Sequence, residues 1–173
     1  MARIWCGLIV VLLARMGGVG SAQPLPRLAI IVHRSNPIDN LTHAELRQIF
    51  LLERQSWPNN KKITVIMRDS GQVERASLLR EVCGMSEADF ARHVLQATFR
   101  GTAMAAPRTI STADGMRRFV FNVPGAVGYV RADEVDDSIK VVRLDGKLPG
   151  DPGYALAVAS ALSPGSVAST RPR

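Results

Sequence analysis

Cysteine, histidine and aromatic residues are all scarce in this chain, and each scarcity removes a class of function. There are two cysteines in 173 residues, Cys6 and Cys83, and Cys6 lies in an N-terminal apolar run. A chain that loses that run keeps one thiol and builds no internal disulfide. Cys83 follows LLREV, a setting that predicts a buried, inert thiol. The three histidines, His33, His43 and His93, share no metal-ligand spacing with one another, a cysteine or an acid, so no metal site is expected. His43, in a first helical turn, and His93, beside Arg92, are expected to face solvent. His33 closes a strand and is a candidate for a cleft wall. No G-x-S-x-G elbow, Walker loop or dinucleotide fingerprint occurs, and no nucleophile stands beside an evident base. The chain reads as a non-enzyme without a cofactor. Aromatics are only 5% of residues and are not interleaved with lysine and arginine, which argues against nucleic acid as a partner.

Long hydrophobic runs are missing too, with one exception. IWCGLIVVLLA follows Arg3, is too short to span a bilayer, and gives way to GSA, with Gly20 and Ala22 at the small-residue positions of a cleavage site. Residues 1–22 are therefore expected to be a signal peptide cut after Ala22. The mature chain is expected in the periplasm or outside the cell, without membrane insertion. No cysteine follows the apolar core to take a lipid anchor. Loss of Arg3 and Arg15 lowers the net charge from +7 to +5, a modest excess that favours anionic partners in general.

Residues 23–151 alternate strand and helix signals, and 152–173, ending in SALSPGSVASTRPR, are small, polar and expected to be a disordered tail. RLAIIVH reads as a strand buried on both faces. Thr42 and Glu45 form a capping box, Leu41 and Leu46 a hydrophobic staple, and Leu46, Ile49 and Phe50 an inward stripe. KKITVIM is a second buried strand. QVERASLLREVCG follows as a helix with Val73, Ala76, Leu78 and Leu79 inward, stopped by Gly84. Ser86 and Asp89 open a third helix, Ser111 and Asp114 a fourth, and GAVGYV and IKVVRL close the domain as strands. This order predicts an α/β three-layer sandwich with a mostly parallel sheet.

The functional question concentrates at MRDSGQVER, residues 67–75, where the second strand becomes a helix. Ligands of open α/β sheets settle at such carboxyl ends, and a first helical turn attracts anions. Gly71 permits close approach, Ser70 adds a hydroxyl donor, and Arg68 or Arg75 offers a bidentate fork. Asp69 offers an acceptor to a protonated oxyanion. A purely structural reading stands beside this one: Asp69 or Ser70 caps the helix, and Arg68 pairs with Asp69 or Glu74.

Several motifs in order carry a resemblance. Asn36-Pro37, Leu41-Thr42, Glu45-Leu46, Ile49-Phe50, Trp57, Arg68-Asp69-Ser70-Gly71 and Gly125-Ala126-Val127-Gly128-Tyr129 resemble the second-lobe segment of phosphate ABC transporter substrate-binding proteins. These are periplasmic type II solute-binding proteins. The match runs from about Leu28 to Leu144. It implies one lobe of that fold, and it implies that Arg68, Ser70 and Gly71 descend from an anion-binding corner. Arg68, Asp69, Ser70, Gly71, Gln72 and Arg75 are the expected ligand-binding residues, for phosphate or a related oxyanion. Full-length members hold the oxyanion between two lobes, and a whole lobe has no counterpart here. Gln72 and Val73 stand where the family has a small residue and a threonine. A protein partner or self-association replacing the second lobe is therefore expected as well. The alternative is an interaction, accessory or sensor module without a small ligand, showing an exposed apolar patch around Trp57 and Phe50. Trp57 itself is either a lid beneath its loop or a surface anchor. Gly125 is expected in a turn after Pro124, and Gly128 is expected to let its strand pass close to a helix.

Overall fold

The computed structural model describes residues 26–102 and 105–158. The signal peptide expected at 1–22 lies outside them, as do residues 159–173 of the expected tail. Residues 152–158 correct the boundary placed at 151: Tyr154, Leu156 and Val158 alternate with exposed or half-buried neighbours and are buried in the main core.

The central sheet has five strands. β1 (Leu28–Val32), β3 (Thr64–Arg68), β4 (Arg108–Ile110), β5 (Ala126–Arg131) and β6 (Lys140–Val141) lie in the order β4-β3-β5-β1-β6. β3 runs parallel to both β4 and β5, whereas β1 is antiparallel to β5 and β6. Four strands thus share one direction and β1 alone opposes them. Two short strands, β2 (Asn40–Leu41) and β7 (Arg143–Leu144), pair in parallel as a separate ribbon, so that IKVVRL, read as one strand, is divided at Val142 between β6 and β7.

Helices cover both faces, and the two apolar clusters record this. On one side Leu28, Ile30, Val65, Met67, Val127 and Tyr129 face α1 (His43–Phe50), α2 (Val73–Leu78) and Phe90 of α3 (Glu87–Phe99). On the other, Ala29, Ile31, Ile66, Ala126 and Val130 face Met116 and Val120 of α4 (Ala113–Asn122). The three-layer α/β sandwich follows from strands that alternate between two buried faces. Among the described residues no helix is long and apolar enough to cross a membrane.

The caps match the sequence signals unevenly. Thr42 Oγ1 accepts from the Glu45 backbone and Glu45 Oε2 accepts from the Thr42 backbone, completing the capping box of α1. Ser86 caps α3, and Gly84, in the left-handed region at φ 66°, ends the helical run that continues α2 through Leu79–Cys83 as a π-helix. For α4 the cap is Thr112, not Ser111: the Thr112 hydroxyl accepts from the Gly115 backbone. A Cβ at Gly128 would lie 2.6 Å from Met116 Sδ, so that glycine does let β5 pass close to α4.

Candidate functional site

β3 ends at Arg68 between two neighbouring strands, and the chain turns through Asp69, Ser70 and Gly71 before entering α2. Gly71 takes φ +86°, which only glycine adopts without strain. The helix cap is Gln72, and its side chain makes no capping bond. Neither Asp69 nor Ser70 caps α2, so that part of the structural reading is corrected. Its ion pair is absent as well: among the described residues Arg68 pairs with neither Asp69 nor Glu74.

The backbone of Arg68 is fixed from both sides. Its N–H donates to the Tyr129 hydroxyl at 3.0 Å, and its carbonyl accepts from Arg75 Nη1 at 2.9 Å. Its guanidinium is not fixed. Nε and Nη1 are both shut from solvent and hydrogen-bond to nothing among the described residues. A shielded guanidinium nitrogen without an acceptor forfeits a charge-assisted hydrogen bond of roughly 1.5–3 kcal/mol.

Arg75 behaves differently from Arg68. Its Nε and Nη2 fork onto Glu87 at 2.9 and 2.6 Å, and it lies over the Phe90 ring. Glu87 Oε1 also accepts from Ser70 Oγ at 3.1 Å. Glu87, in the first turn of α3, therefore ties the turn to α2 and holds two of the three side-chain donors that the sequence offered to a ligand, Ser70 and Arg75. Arg75 positions the corner, and Arg68 is left open.

The helix stripe expected for α2 is corrected by the same geometry. Val73 and Ala76 are exposed, whereas Glu74, Arg75 and Ser77 are buried beside Leu78. Glu74 is 8% exposed and its Oε2 is shielded without a partner. Glu74, Arg68 and Arg75 all act electrostatically on the Tyr129 hydroxyl, whose ionisation burial pushes far upward. Tyr129 is therefore a neutral hydroxyl at any physiological pH. Glu74, Glu87 and Tyr129 escaped the site expected from the sequence. The Gly-Tyr of GAVGY was the one signal available for Tyr129.

The histidines belong elsewhere. Because β1 runs against β3, its carboxyl end and His33 lie at the amino end of β3, away from Arg68. There His33 Nδ1 bonds the Ser35 backbone and hydroxyl. His43 and His93 do not simply face solvent: their Nε2 atoms bond the Glu81 and Leu51 carbonyls, linking helices. Trp57 is 2% exposed and its Nε1 donates to the Gly125 carbonyl at 3.0 Å, so it is a core residue, not a surface anchor. Phe50 is wholly buried. Neither residue of that pair therefore contributes to an exposed apolar patch. Of the hollows on the described surface, one is lined by Leu52, Lys62 and Arg108 and another runs along α3 past Arg75 and Phe90; Arg68 lines neither.

No known protein-family profile matches the sequence. Solved structures do. A phosphate transport receptor of the ABC type from Vibrio cholerae superposes with a TM-score of 0.60 at 22% identity, over 72% of this chain and 48% of its own. A Clostridium perfringens protein described as a phosphate ABC transporter substrate-binding protein, crystallised with phosphate, gives 0.59 at 21% identity, over 72% and 47%. A phosphate-binding protein from Stenotrophomonas maltophilia gives 0.57 at 15%, over 72% and 40%. At such identities the likeness is one of fold, and the chain spans about half the length of the first two. This protein has the α/β fold of roughly half of a phosphate ABC transporter substrate-binding protein.

Proposed function

We propose that this protein is an exported solute-binding-like module that takes phosphate or a related oxyanion at the corner 68–75. The observation that carries the reading is the Arg68 guanidinium, with two shielded nitrogens lacking an acceptor at the carboxyl end of a central strand. An oxyanion supplies an acceptor to that guanidinium. Asp69, Ser70, Gly71 and Gln72 make the turn that flanks it, and Glu87 holds that turn through Ser70 and Arg75. The unpartnered Oε2 of Glu74 adds a preference. A protonated oxyanion offers that carboxylate a donor, and sulfate at neutral pH offers none. The likeness in fold to phosphate-binding proteins supports the same ligand class and an extracytoplasmic location.

Calorimetric titration with phosphate, sulfate and a neutral sugar tests the reading. Phosphate is expected to saturate one site, sulfate to bind more weakly, and Arg68→Gln to lower phosphate affinity by about one to two decades. Absence of a phosphate signal up to millimolar ligand would sink it. A second reading, docking to another protein, is favoured by one observation at a different place: α3 leaves Leu95 and Phe99 largely exposed.

A further inference from the structure

Ser70 belongs to a turn and Arg75 to a helix, yet their donors converge on one carboxylate. Glu87 Oε1 accepts from Ser70 Oγ at 3.1 Å and from Arg75 Nη2 at 2.6 Å, and Oε2 accepts from Arg75 Nε at 2.9 Å. These donors form a cradle for the two oxygens of one anion, and the anion in it belongs to the chain itself. The two sides of the pair are unequally buried. The Arg75 side chain is 9% exposed and lies over the Phe90 ring, whereas the Glu87 side chain is 41% exposed. A buried guanidinium stripped of its acceptor is left with an uncompensated charge, while a carboxylate at the surface regains water. When an anion exchanges at this cradle, Glu87 is the group that leaves and Arg75 the one that stays. The cradle adjoins the open guanidinium: Arg75 Nη1 donates to the Arg68 carbonyl, and both arginines act on the Tyr129 hydroxyl.

We infer, building on the proposed oxyanion uptake at residues 68–75, that Glu87 is an internal competitor for the ligand and makes the corner reject carboxylate solutes. A free carboxylate offers the cradle only the two oxygens that Glu87 already supplies. Glu87 is tethered, so it competes at an effective concentration on the order of millimolar, and a monocarboxylate that displaces it gains nothing. A tetrahedral oxyanion differs. Phosphate sets two oxygens on Ser70 and Arg75, keeps others for Arg68, and carries more charge than a monocarboxylate at neutral pH. Exchange therefore favours ions that can engage the cradle and Arg68 together.

Calorimetric titration of the unaltered protein and of Glu87→Gln, with phosphate and with acetate, tests this. The glutamine keeps the size of the side chain and removes its charge. The unaltered protein is expected to bind phosphate and give no signal with acetate, whereas Glu87→Gln binds phosphate about tenfold more tightly and gains saturable acetate binding. Phosphate affinity unchanged or lowered in Glu87→Gln, or acetate still without a signal, overturns the inference and leaves Glu87 as a brace of the turn; the oxyanion site itself then stands on the phosphate signal of the unaltered protein. A phosphate signal in Glu87→Gln alone upholds the competitor and sinks uptake by the unaltered protein. Silence toward phosphate in both overturns both. Glu87→Ala adds a readout that needs no phosphate. It empties the cradle, and its lowered melting temperature is expected to recover with acetate but not with chloride at the same ionic strength. No recovery overturns the cradle as an anion site.

Discussion

At the scale of single residues, the difference between Arg68 and Arg75 lies outside the stretch that contains them. In MRDSGQVER the two arginines look equivalent. Glu87, twelve residues beyond Arg75, engages one of them and so frees the other. No local pattern reveals a partner supplied by the next helix. Gly125 gives a different case, a residue noticed for one of its two reasons. Its turn is real, but a Cβ there would lie 2.1 Å from the Lys62 carbonyl oxygen. Its own carbonyl meanwhile accepts from Trp57 Nε1 and the Thr64 backbone, each at 3.0 Å. Gly125→Ala is therefore expected to cost about 1–3 kcal/mol through forced backbone movement. Thermal unfolding measures it, and an unchanged midpoint would show that the β3 entry can give way.

At the scale of elements, legibility followed the strength of local capping. The entry to α1 is written completely in Thr42, Glu45, Leu41 and Leu46, and the structure forms it as read. Thr42→Ala leaves the Glu45 N–H without its side-chain acceptor and is expected to cost about 1 kcal/mol, read as a shift of the urea midpoint. α2 was harder because its buried face carries Glu74, Arg75 and Ser77, polar residues that a hydrophobic pattern assigns to solvent. They are inside because the corner buries charge. β2 and β4 escaped for a simpler reason: strands of two or three residues hold too little alternation to show a period, and IKVVRL, read as one strand, is split at Val142 into β6 and β7. The direction of β1 was equally silent, since a buried strand reads the same parallel or antiparallel.

At the scale of the whole molecule, the titrating groups set a stability window. Burial pushes the Cys83 thiol up from 9.0 to about 11 and drives the Tyr129 and Tyr154 hydroxyls upward as well. These groups hold their protons more tightly folded than unfolded. Their contribution is complete below pH 9 and is lost as the pH climbs toward 11. Hydrogen bonds hold Glu45, Asp89, Asp133 and Asp136 below their usual carboxylate values: the Thr42 backbone for Glu45, the Ser86 hydroxyl for Asp89, Arg131 for Asp133 and the Ser138 hydroxyl for Asp136. Their contribution is present above about pH 4 and fades on acidification. Urea midpoints are expected to form a plateau between these limits. A midpoint that still rises from pH 9 to 11 would contradict the burial of the three groups.

The described domain also begins and ends in one place. The Val158 N–H donates to the Pro26 carbonyl at 2.7 Å, Leu28 N–H to Leu156, and Arg27 bridges to Ala157. Leu28 pairs with Arg131, and β3 runs parallel to β5, so both ends leave the sheet on the side where Arg68 stands. The fold is in effect a closed loop with a single seam. It can be spliced as a unit into a longer polypeptide without separating any of its strands. Whatever is joined at that seam arrives at the same edge of the sheet as the Arg68 guanidinium, whose shielded Nε and Nη1 have no acceptor among the described residues.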